Sequence, residues 1–431
     1  MANGKIDIGK KRLLSSTALT KHVAVFGALG LVFGASSASA LDPNALPVDP
    51  NVVGGAATFN QSGATLNVNQ STNRTVIDWR SFDIGSNATT NFIQPGAASI
   101  AVNRVNSSAN PTQIQGSLNA NGQVWILNPN GVMFGKTAKV DVAGIVASTG
   151  NIDSAAFMRG DNRLQFTGAD GGEVSNAGLI SVADGGLAAF VAPSVRNSGV
   201  IRARLGKVTL AAGTTYTLDL AGDRLVELGL GADNALVDQS GQVLADGSVV
   251  TISAMAASAV VDSVVNVSGT VMASGVHEAG GKIILTADNV TTTGSAVLAA
   301  DGGTNGDGGT IYGYAGNTGT YDGSFSAKGG ANSGDGGSIE TSGKKVRIAS
   351  SISVNTLAAH GATGDWSIDP VTLVVGSAGT GALGGGVNDE EATIAASTVV
   401  AGLVGSNVTL QAEIQSPLLK PLTARGPGIS R

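Results

Sequence analysis

Short runs of alternating apolar and polar residues dominate this chain. Residues 64–68 read Ala-Thr-Leu-Asn-Val, and residues 75–79 read Thr-Val-Ile-Asp-Trp. Alternation places every second side chain on the same face of an extended segment. Gly, Asn, Asp and Ser interrupt the runs every few positions, which is typical of tight turns. No apolar pattern repeats at 3.6 residues for more than two turns, so the sequence predicts an all-β protein of many short strands.

These strands recur at regular intervals from Asn176 onwards. Asn176-Ala177-Gly178-Leu179-Ile180 returns 21 residues later as Asn-Ser-Gly-Val-Ile at 197–201. Glycine pairs at 280–281, 308–309 and 336–337 are 28 residues apart, and each precedes a strand. Self-similarity at this spacing indicates a solenoid whose stacked units share one core. A propeller would need a regular period of about 40–50 residues, so we predict a right-handed parallel β-helix with glycines supplying left-handed corner turns.

Four segments follow from these patterns: an export signal at 1–40, a β-helical domain with an N-terminal cap at 41–175, repeats of about 20–28 residues at 176–375, and an irregular tail at 376–431. The tail begins with a Gly/Ala-rich loop, and weak strands are predicted within it at 397–404 and 408–412. Three prolines follow position 416, with no alternation. A solenoid end normally carries a polar cap, so this tail is typical of a truncated or frame-shifted longer protein.

The first forty residues have the organisation of a secretory signal. Lys10-Lys11-Arg12 lies in a basic region, and the apolar stretch Val23–Phe33 is shorter than the roughly 20 residues that a membrane span needs. Ala38-Ser39-Ala40 is an A-x-A cleavage pattern. A buried N-terminal helix would not explain this order, so we predict cleavage before Leu41, with the signal removed or disordered. No second apolar stretch predicts a stable transmembrane span, and no terminal strand pattern predicts a barrel.

Composition narrows the function classes. Removing residues 1–40 subtracts five basic residues and one acidic residue from 25 and 31, which leaves 20 and 30 and a net charge near −10. An acidic surface repels phosphates, which argues against nucleic-acid binding. The chain has no cysteine, so no disulfide scaffold stabilises it and no disulfide can lock it before export. Charged residues make up 13% and aromatic residues 4%, a composition that argues against a large enzyme core.

One stretch carries motifs of a known family: Asn103-Arg104-Val105, Ala120-Asn121-Gly122 and Leu127-Asn128-Pro129-Asn130-Gly131-Val132-Met133-Phe134-Gly135. It resembles the secretion domain of filamentous-haemagglutinin-like exoproteins, the exported partners of two-partner secretion systems in Gram-negative bacteria. The resemblance extends from residue 41 to about 375. The chain departs from the family at Ser107-Ser108, where a glycine is common, and in its short length.

The resemblance implies a β-helical secretion domain, a dedicated outer-membrane barrel transporter as partner, and folding at the cell surface. It also implies an adhesin-type role for a secreted or surface-displayed protein, with the surface ligand undefined. Two alternatives remain at this point: a polysaccharide-processing β-helix enzyme, and an autotransporter passenger. For the Asn-Pro-Asn-Gly block itself, two roles stay open. It is a tight turn by composition, and it is also a candidate for transporter recognition or export-competent folding.

Other motifs in the chain do not predict a catalytic, cofactor or metal site. His277 and His360 stand in loop-like segments without a metal-ligand pattern. The G-x-G-x-x-G match at 379–384 lacks a βαβ context. The glycine- and aspartate-rich residues 302–307, the Arg-Gly-Asp tripeptide at 159–161 and the acidic residues 389–391 are interpreted as solvated turns or loops. We therefore expect no enzyme activity and no cofactor.

Overall fold

A computed structural model describes residues 40–106, 108–168, 171–220, 226–233, 235–256, 262–275, 280–376, 391–411 and 422–424. The chain divides into two units, 1–40 and 41–431, and everything below concerns the second. Residues 1–39 of the predicted export signal, including Ala38, lie outside the described residues, which begin with Ala40 and continue with Leu41. His277, the motif at 379–384 and the acidic residues 389–390 also lie outside them.

Strands form almost the whole described chain, with two helices, α1 (Ser154–Arg159) and α2 (Ala396–Gly405). In chain order the strands are β1 (Asn51–Gly54), β2 (Ala57–Ser62), β3 (Thr65–Gln70), β4 (Arg74–Trp79), β5 (Thr89–Ile93), β6 (Ile100–Val105), β7 (Thr112–Ile114), β8 (Ser117–Ala120), β9 (Gln123–Leu127), β10 (Val132–Phe134), β11 (Lys139–Val142), β12 (Gly144–Ser148), β13 (Asn151–Ile152), β14 (Arg163–Thr167), β15 (Glu173–Asn176), β16 (Leu179–Val182), β17 (Leu187–Ala192), β18 (Ser194–Asn197), β19 (Val200–Arg202), β20 (Lys207–Ala212), β21 (Thr215–Asp219), β22 (Val226–Leu230), β23 (Leu236–Gln239), β24 (Gln242–Leu244), β25 (Val249–Ala254), β26 (Val264–Val267), β27 (Thr270–Met272), β28 (Lys282–Thr292), β29 (Val297–Ala299), β30 (Thr310–Tyr321), β31 (Ser324–Ser326), β32 (Ser338–Ile348), β33 (Ser353–Asn355), β34 (Asp365–Pro370), β35 (Thr372–Gly376), β36 (Glu391–Ala395), β37 (Asn407–Leu410) and β38 (Leu422–Ala424).

Three parallel ladders run along the molecule, and the chain visits them in turn. Ladder A joins β4, β6, β9, β12, β17, β20, β25, β28, β30, β32, β34 and β37. Ladder B joins β7, β10, β15, β18, β23 and β26 before it reaches the second halves of β28, β30 and β32. Ladder C runs from β3 to β33. Each circuit through A, B and C is one coil, which confirms the predicted all-β parallel β-helix.

The inward side chains of the three ladders form one continuous core. Ile283, Ile311, Ile339 and Trp366 occupy the same register position in successive coils of ladder A, and all four are fully buried. Each such aliphatic side chain contributes about 1.5–3 kcal/mol by leaving water. No single coil encloses its own core, so each depends on its neighbours for this burial.

Buried amides also stack from coil to coil. The Asn176 Nδ2 donates to Asn197 Oδ1, and the Asn197 Nδ2 donates to Gln239 Oε1, both at 2.8 Å. All three side chains are buried. The predicted 21-residue repeat therefore places equivalent asparagines in contact, because Asn176 and Asn197 are register partners of β15 and β18.

The glycines spaced 28 residues apart have a different cause from the one predicted. An added Cβ would lie 2.0 Å from the carbonyl oxygen of the preceding coil at Gly309, Gly337 and Gly364. None of these three glycines has a positive φ. Glycine is required at these three positions because stacked backbones approach too closely for any side chain, whereas the predicted left-handed turns occur at other glycines, among them Gly247 and Gly303.

The two ends of the coil stack differ from its middle. At the N-terminal end, β1 pairs antiparallel with β4 and β2 pairs antiparallel with β3, so the first parallel strands have a covered edge. At the C-terminal end the sequence interpretation is wrong in two respects. Residues 396–405 form α2 rather than a strand, and stacking continues beyond residue 376, because β37 pairs in parallel with β34.

A second layer covers part of the outer face of ladder A. It consists of α1 with β13 and β14, inserted after β12, and of β21 and β22, inserted after β20. The four strands form an antiparallel sheet. We call this layer the cover. Its apolar side chains pack on outward residues of ladder A, including Val102, Trp125 and Val146, in a second core.

Candidate functional site: the turn and strands of the predicted export motif

The Asn-Pro-Asn-Gly block is a turn between β9 and β10 in which one asparagine is fully buried. Asn128 accepts the Asn130 N–H on its Oδ1 at 3.0 Å, and its carbonyl oxygen accepts the Gly131 N–H at 2.9 Å. Its Nδ2 donates to Asn110 O at 3.1 Å and to Thr112 Oγ1 at 3.2 Å in the preceding coil. Asn128 thus closes its own turn and fastens that turn to the coil before it.

The following coil packs against the same turn. Gly131 has a φ of +116°, a conformation that favours glycine, and a Cβ there would lie 2.7 Å from Glu173 O. A Cβ on Gly172 would lie 2.8 Å from the Pro129 carbonyl oxygen. Backbone on both sides therefore fixes the turn, whereas the side chains of Pro129 and Asn130 are exposed. Asn130 Nδ2 donates to Ser108 O at 2.7 Å.

Asn103 is a second buried amide, in the middle of β6. Its Oδ1 accepts the Trp79 indole N–H at 3.0 Å, and its Nδ2 donates to Ala101 O and Trp125 O, both at 3.2 Å. Asn103 is fully buried. If its side-chain amide lost one of these partners, no water could replace the missing hydrogen bond. It orients Trp79, whose ring packs edge-on against Phe59 and Phe82.

Arg104, the next residue, points to the outer face and holds the cover. Its Nε donates to Asp78 Oδ1 at 2.7 Å on the neighbouring strand, and its NH1 donates to Ser154 Oγ at 2.7 Å in the first turn of α1. Arg74 of β4 holds the same helix near its end by donating to Phe157 O at 2.5 Å, and its guanidinium lies 5.1 Å from the Phe157 ring. Burial lowers the pKa of Arg74, and the Asp161 carboxylate opposes that shift.

Replacing Arg104 with methionine is expected to lower the free energy of unfolding by about 1 kcal/mol, because a partly exposed ion pair and one hydrogen bond are lost while the stem volume is kept. Arg80→Met is the matched control, since the Arg80–Asp49 pair is 65% and 67% exposed. Chemical unfolding of the chain 41–431 measures both. Equal losses in the two variants would contradict the tether between Arg104 and α1.

Asn121 and Gly122 lie at the opposite end of β9 from the turn. Asn121 Oδ1 accepts the Gln94 N–H and Asn121 Nδ2 donates to Gln94 O, both at 2.7 Å, so its amide pairs with the backbone of the preceding coil. A Cβ on Gly122 would lie 2.6 Å from Gln94 Oε1. These two residues therefore set the corner at which β9 begins.

The predicted motif residues do not converge on one pocket. They lie on neighbouring coils of the same region, where Arg104 is the register partner of Leu127, one residue before Asn128. What they share is contact between consecutive coils or between a coil and the cover.

The sequence alone did not identify Arg74, Ser154 or Trp125 as residues of this region. Outward apolar residues in β9 were the available signal, because a strand buried on both faces does not alternate.

The remaining candidate residues do not assemble into a catalytic or metal centre in the part of the chain that the structure describes. No three His, Cys, Asp or Glu side chains come together there as a metal site. Arg159 is the last residue of α1, Gly160 caps it, and Arg159 NH2 pairs with Asp161 Oδ2 at 2.9 Å, so the tripeptide forms a helix end. His360 lies in a surface loop that lines a cavity with Lys328 and Leu357.

Comparison with known proteins identifies the family. A family model described as the TPS secretion domain matches residues 46–300, more than half of the chain. The chain belongs to this family. The resemblance carried by the motifs at 103–135 is thereby confirmed, and the TPS family places this chain among two-partner exoproteins exported across the outer membrane to the cell surface or beyond.

Two curated relatives and one solved structure agree with the TPS assignment. A heme/hemopexin-binding protein of Haemophilus influenzae strain Rd is 37% identical over 267 residues, 60% of this chain and 28% of that protein. A second H. influenzae protein of the same name is 30% identical over 284 residues, 60% of this chain and 29% of the relative. The HMW1 secretion domain of H. influenzae matches with a TM-score of 0.53 at 24% identity, covering 75% of this chain and all of that one, and shows the same fold.

This chain spans less than a third of the length of the two curated relatives. The matches favour neither a polysaccharide-processing enzyme nor an autotransporter passenger. Within the described ranges, no helix is long and apolar enough to cross a membrane.

Proposed function

We propose that residues 41–300 form the export segment of a surface exoprotein and that a separate outer-membrane transporter recognises this segment. We also propose that the coils beyond residue 300 begin a non-enzymatic adhesive shaft. TPS membership supports the transporter as a partner. The stacked coils support the shaft, because each coil offers its edge to the next. The predicted cleavage after residue 40 remains part of this proposal, as does the predicted change near residue 175 from a capped domain to regular repeats within this segment.

Within this export segment, we infer that the Asn-Pro-Asn-Gly turn acts by closing a coil. The observation that carries this inference is the complete burial of Asn128 together with its bonds to residues 110 and 112 of the preceding coil. A residue without solvent exposure in the folded coil has its effect through the fold. Asn103, Arg104, Asn121 and Gly122 support the same interpretation, because each contacts a neighbouring coil or the cover.

Asn128→Ala is expected to lower the free energy of unfolding by about 2 kcal/mol, since a buried amide with several partners is lost and the Thr112 hydroxyl stays buried without it. Asn130→Ala loses one exposed hydrogen bond and is expected to cost about 0.5 kcal/mol. Chemical unfolding of the chain 41–431 compares the two variants. Similar losses would contradict the division between a buried and an exposed asparagine.

Secretion of the same variants separates the two roles of the motif. Cells that express the full chain with its transporter should secrete less Asn128→Ala protein and normal amounts of the Asn130→Ala and Pro129→Ala variants. If the transporter reads the exposed turn instead, Pro129→Ala or Asn130→Ala will abolish secretion with stability retained. Cells without a transporter provide the control for the whole proposal. Equal secretion of the unchanged chain in their medium would refute a dedicated transporter.

The relatives' names refer to heme and hemopexin binding, but their alignments cover 28% and 29% of those proteins. This coverage supports a shared export route and leaves the ligand of this chain to be identified from its own surface.

A further inference from the structure

Two tyrosines on the outer face of ladder A stand out among the aromatic side chains of the described residues. Tyr314 is 45% exposed and Tyr312 is half-buried, whereas Trp79, Trp125 and Trp366 are at most 2% exposed. The two rings are parallel to within 4°, and their centroids are 6.4 Å apart. Tyrosine is enriched where proteins contact partners, because it joins a large apolar area to a polar tip.

Acidic and hydroxyl side chains adjoin this pair on the next two strands. In the register of the sheet, Tyr312 faces Glu340 and Tyr314 faces Ser342, which in turn faces Asp369. Ser342 Oγ donates to Glu340 Oε1 at 2.6 Å, so the Glu340 carboxylate is held on the sheet beside Tyr312. The result is a surface patch of two parallel aromatic rings beside a carboxylate.

Two carboxylates lie close to Tyr312. Burial raises the pKa of Tyr312, and the negative charges of Glu340 and Asp369 raise it further, together with Tyr314. Aromatic faces also attract cations, through the electron density of the ring. A positively charged side chain would therefore meet favourable interactions from both the carboxylate and the rings.

The position of the patch sets it apart from the export region. Farther towards the N-terminus, the cover packs on the outer face of ladder A and buries its aromatic residues. Tyr312 and Tyr314 lie beyond residue 300, where the TPS match ends, on the part of the same ladder face that the cover does not reach. The patch is thus outside the segment shared through the family model.

We propose that Tyr312, Tyr314 and Glu340 form a docking site for an arginine or lysine side chain of a partner protein. The charge complementarity of the patch favours a basic segment over an acidic or neutral ligand. This site belongs to the shaft, and its binding does not depend on the export route.

Binding of a fluorescent peptide of alternating glycine and arginine to the chain 41–431 tests the site, with the same peptide carrying neutral citrulline as its control. Glu340→Gln is expected to weaken the arginine peptide about fivefold, as a charge-assisted contact is lost. Tyr312→Leu with Tyr314→Leu is expected to weaken it about tenfold, from two cation–π contacts. The double phenylalanine variant, which keeps both π faces, should bind within about twofold of the unchanged chain.

Asp141→Asn is the matched charge control, because Asp141 is exposed on ladder C and its loss changes the net charge equally. This variant should bind the arginine peptide within about twofold of the unchanged chain, since exposed distant charges are screened. An equal effect of Asp141→Asn and Glu340→Gln would overturn the proposal, as would equal binding of the citrulline peptide. Two other outcomes would also overturn the proposal. If the chain binds dextran, and the double leucine variant abolishes that binding while Glu340→Gln does not, the patch is a glycan site. If self-association shows the same pattern, the patch binds a second copy of the chain.

Discussion

Gly309→Ala is expected to lower the free energy of unfolding by about 3 kcal/mol or more. The added Cβ would lie 2.0 Å from Gly281 O and 2.7 Å from the Gly280 carbonyl carbon, both backbone atoms of the preceding coil. Relief of that overlap requires the coils to separate, which stretches the hydrogen bond from Thr310 N to Gly281 O, now 3.0 Å. Chemical unfolding of the chain 41–431 measures the loss.

Two further glycines make this test specific. Gly96 has no atom within 4 Å of an added Cβ and no positive φ, so Gly96→Ala is expected to change stability by less than about 0.5 kcal/mol. Gly185 has open space but a φ of +76°, so Gly185→Ala is expected to cost about 1–2 kcal/mol from backbone strain alone. If Gly309→Ala lowers the free energy of unfolding no more than Gly185→Ala does, close stacking is not the reason for glycine at positions 281, 309 and 337, which we call the glycine column.

The glycine column illustrates how far the sequence predicts this fold. The spacing of 28 residues correctly indicated stacked coils, because Gly281, Gly309 and Gly337 each precede a ladder A strand. The left-handed turn predicted for glycine does not apply at these three positions, since a repeat reveals that a position is constrained without revealing which neighbour constrains it. That neighbour is the preceding coil, whose distance follows from the stacking rather than from local sequence.

The cover could not be predicted because its pairing is not local. The strands β14 and β21 join segments from two separate insertions, and α1 is too short to produce a helical period. The partial signal lies in the ladder itself. Residues 187–192 read Leu-Ala-Ala-Phe-Val-Ala and are buried on both faces. Such a run indicates that something covers the outer face, without naming the segment that does so.

The helix α2 was missed for a related reason. Residues 396–405 contain three valine or threonine residues in succession, which favours a strand, together with alanines and a leucine that favour a helix. Packing on the coils decides between helix and strand. An added Cβ on Gly402 would lie 2.7 Å from the Trp366 ring, so the helix packs against the last coils at this glycine.

For the candidate site, the sequence identified the residues but not their tasks. Asn103 and Arg104 are adjacent in sequence, yet one binds Trp79 in the core and the other binds α1 outside. Alternation along β6 predicts these opposite directions. The partners come from other coils and from the cover, so they required the three-dimensional register.

The cover provides the second large prediction: Trp125→Ala is expected to lower the free energy of unfolding by about 3–5 kcal/mol. Trp125 is fully buried between ladder A and the cover, with ring centroids 5.8 Å from both Phe157 and Phe166. Phe166 in turn stacks on Tyr216 at 4.3 Å, so one indole supports both insertions. Its loss opens a cavity that the antiparallel strands cannot fill without leaving the ladder.

Phe325→Ala separates loosening of the cover from general loss of stability. Phe325 is 1% exposed in the main core and is not part of the second core beneath the cover. Its truncation is expected to cost about 3–4 kcal/mol. Under native conditions, trypsin should cleave Trp125→Ala faster after Arg159 and Arg163 and leave Phe325→Ala at the unchanged rate, because only the first variant releases α1 and β14. Equal protection of these two bonds in both variants would show that the cover is held by its own sheet. The Trp125 indole would then fill space without holding the cover on the coils. Only the contacts of Arg74 and Arg104 with α1 would then join the cover to ladder A.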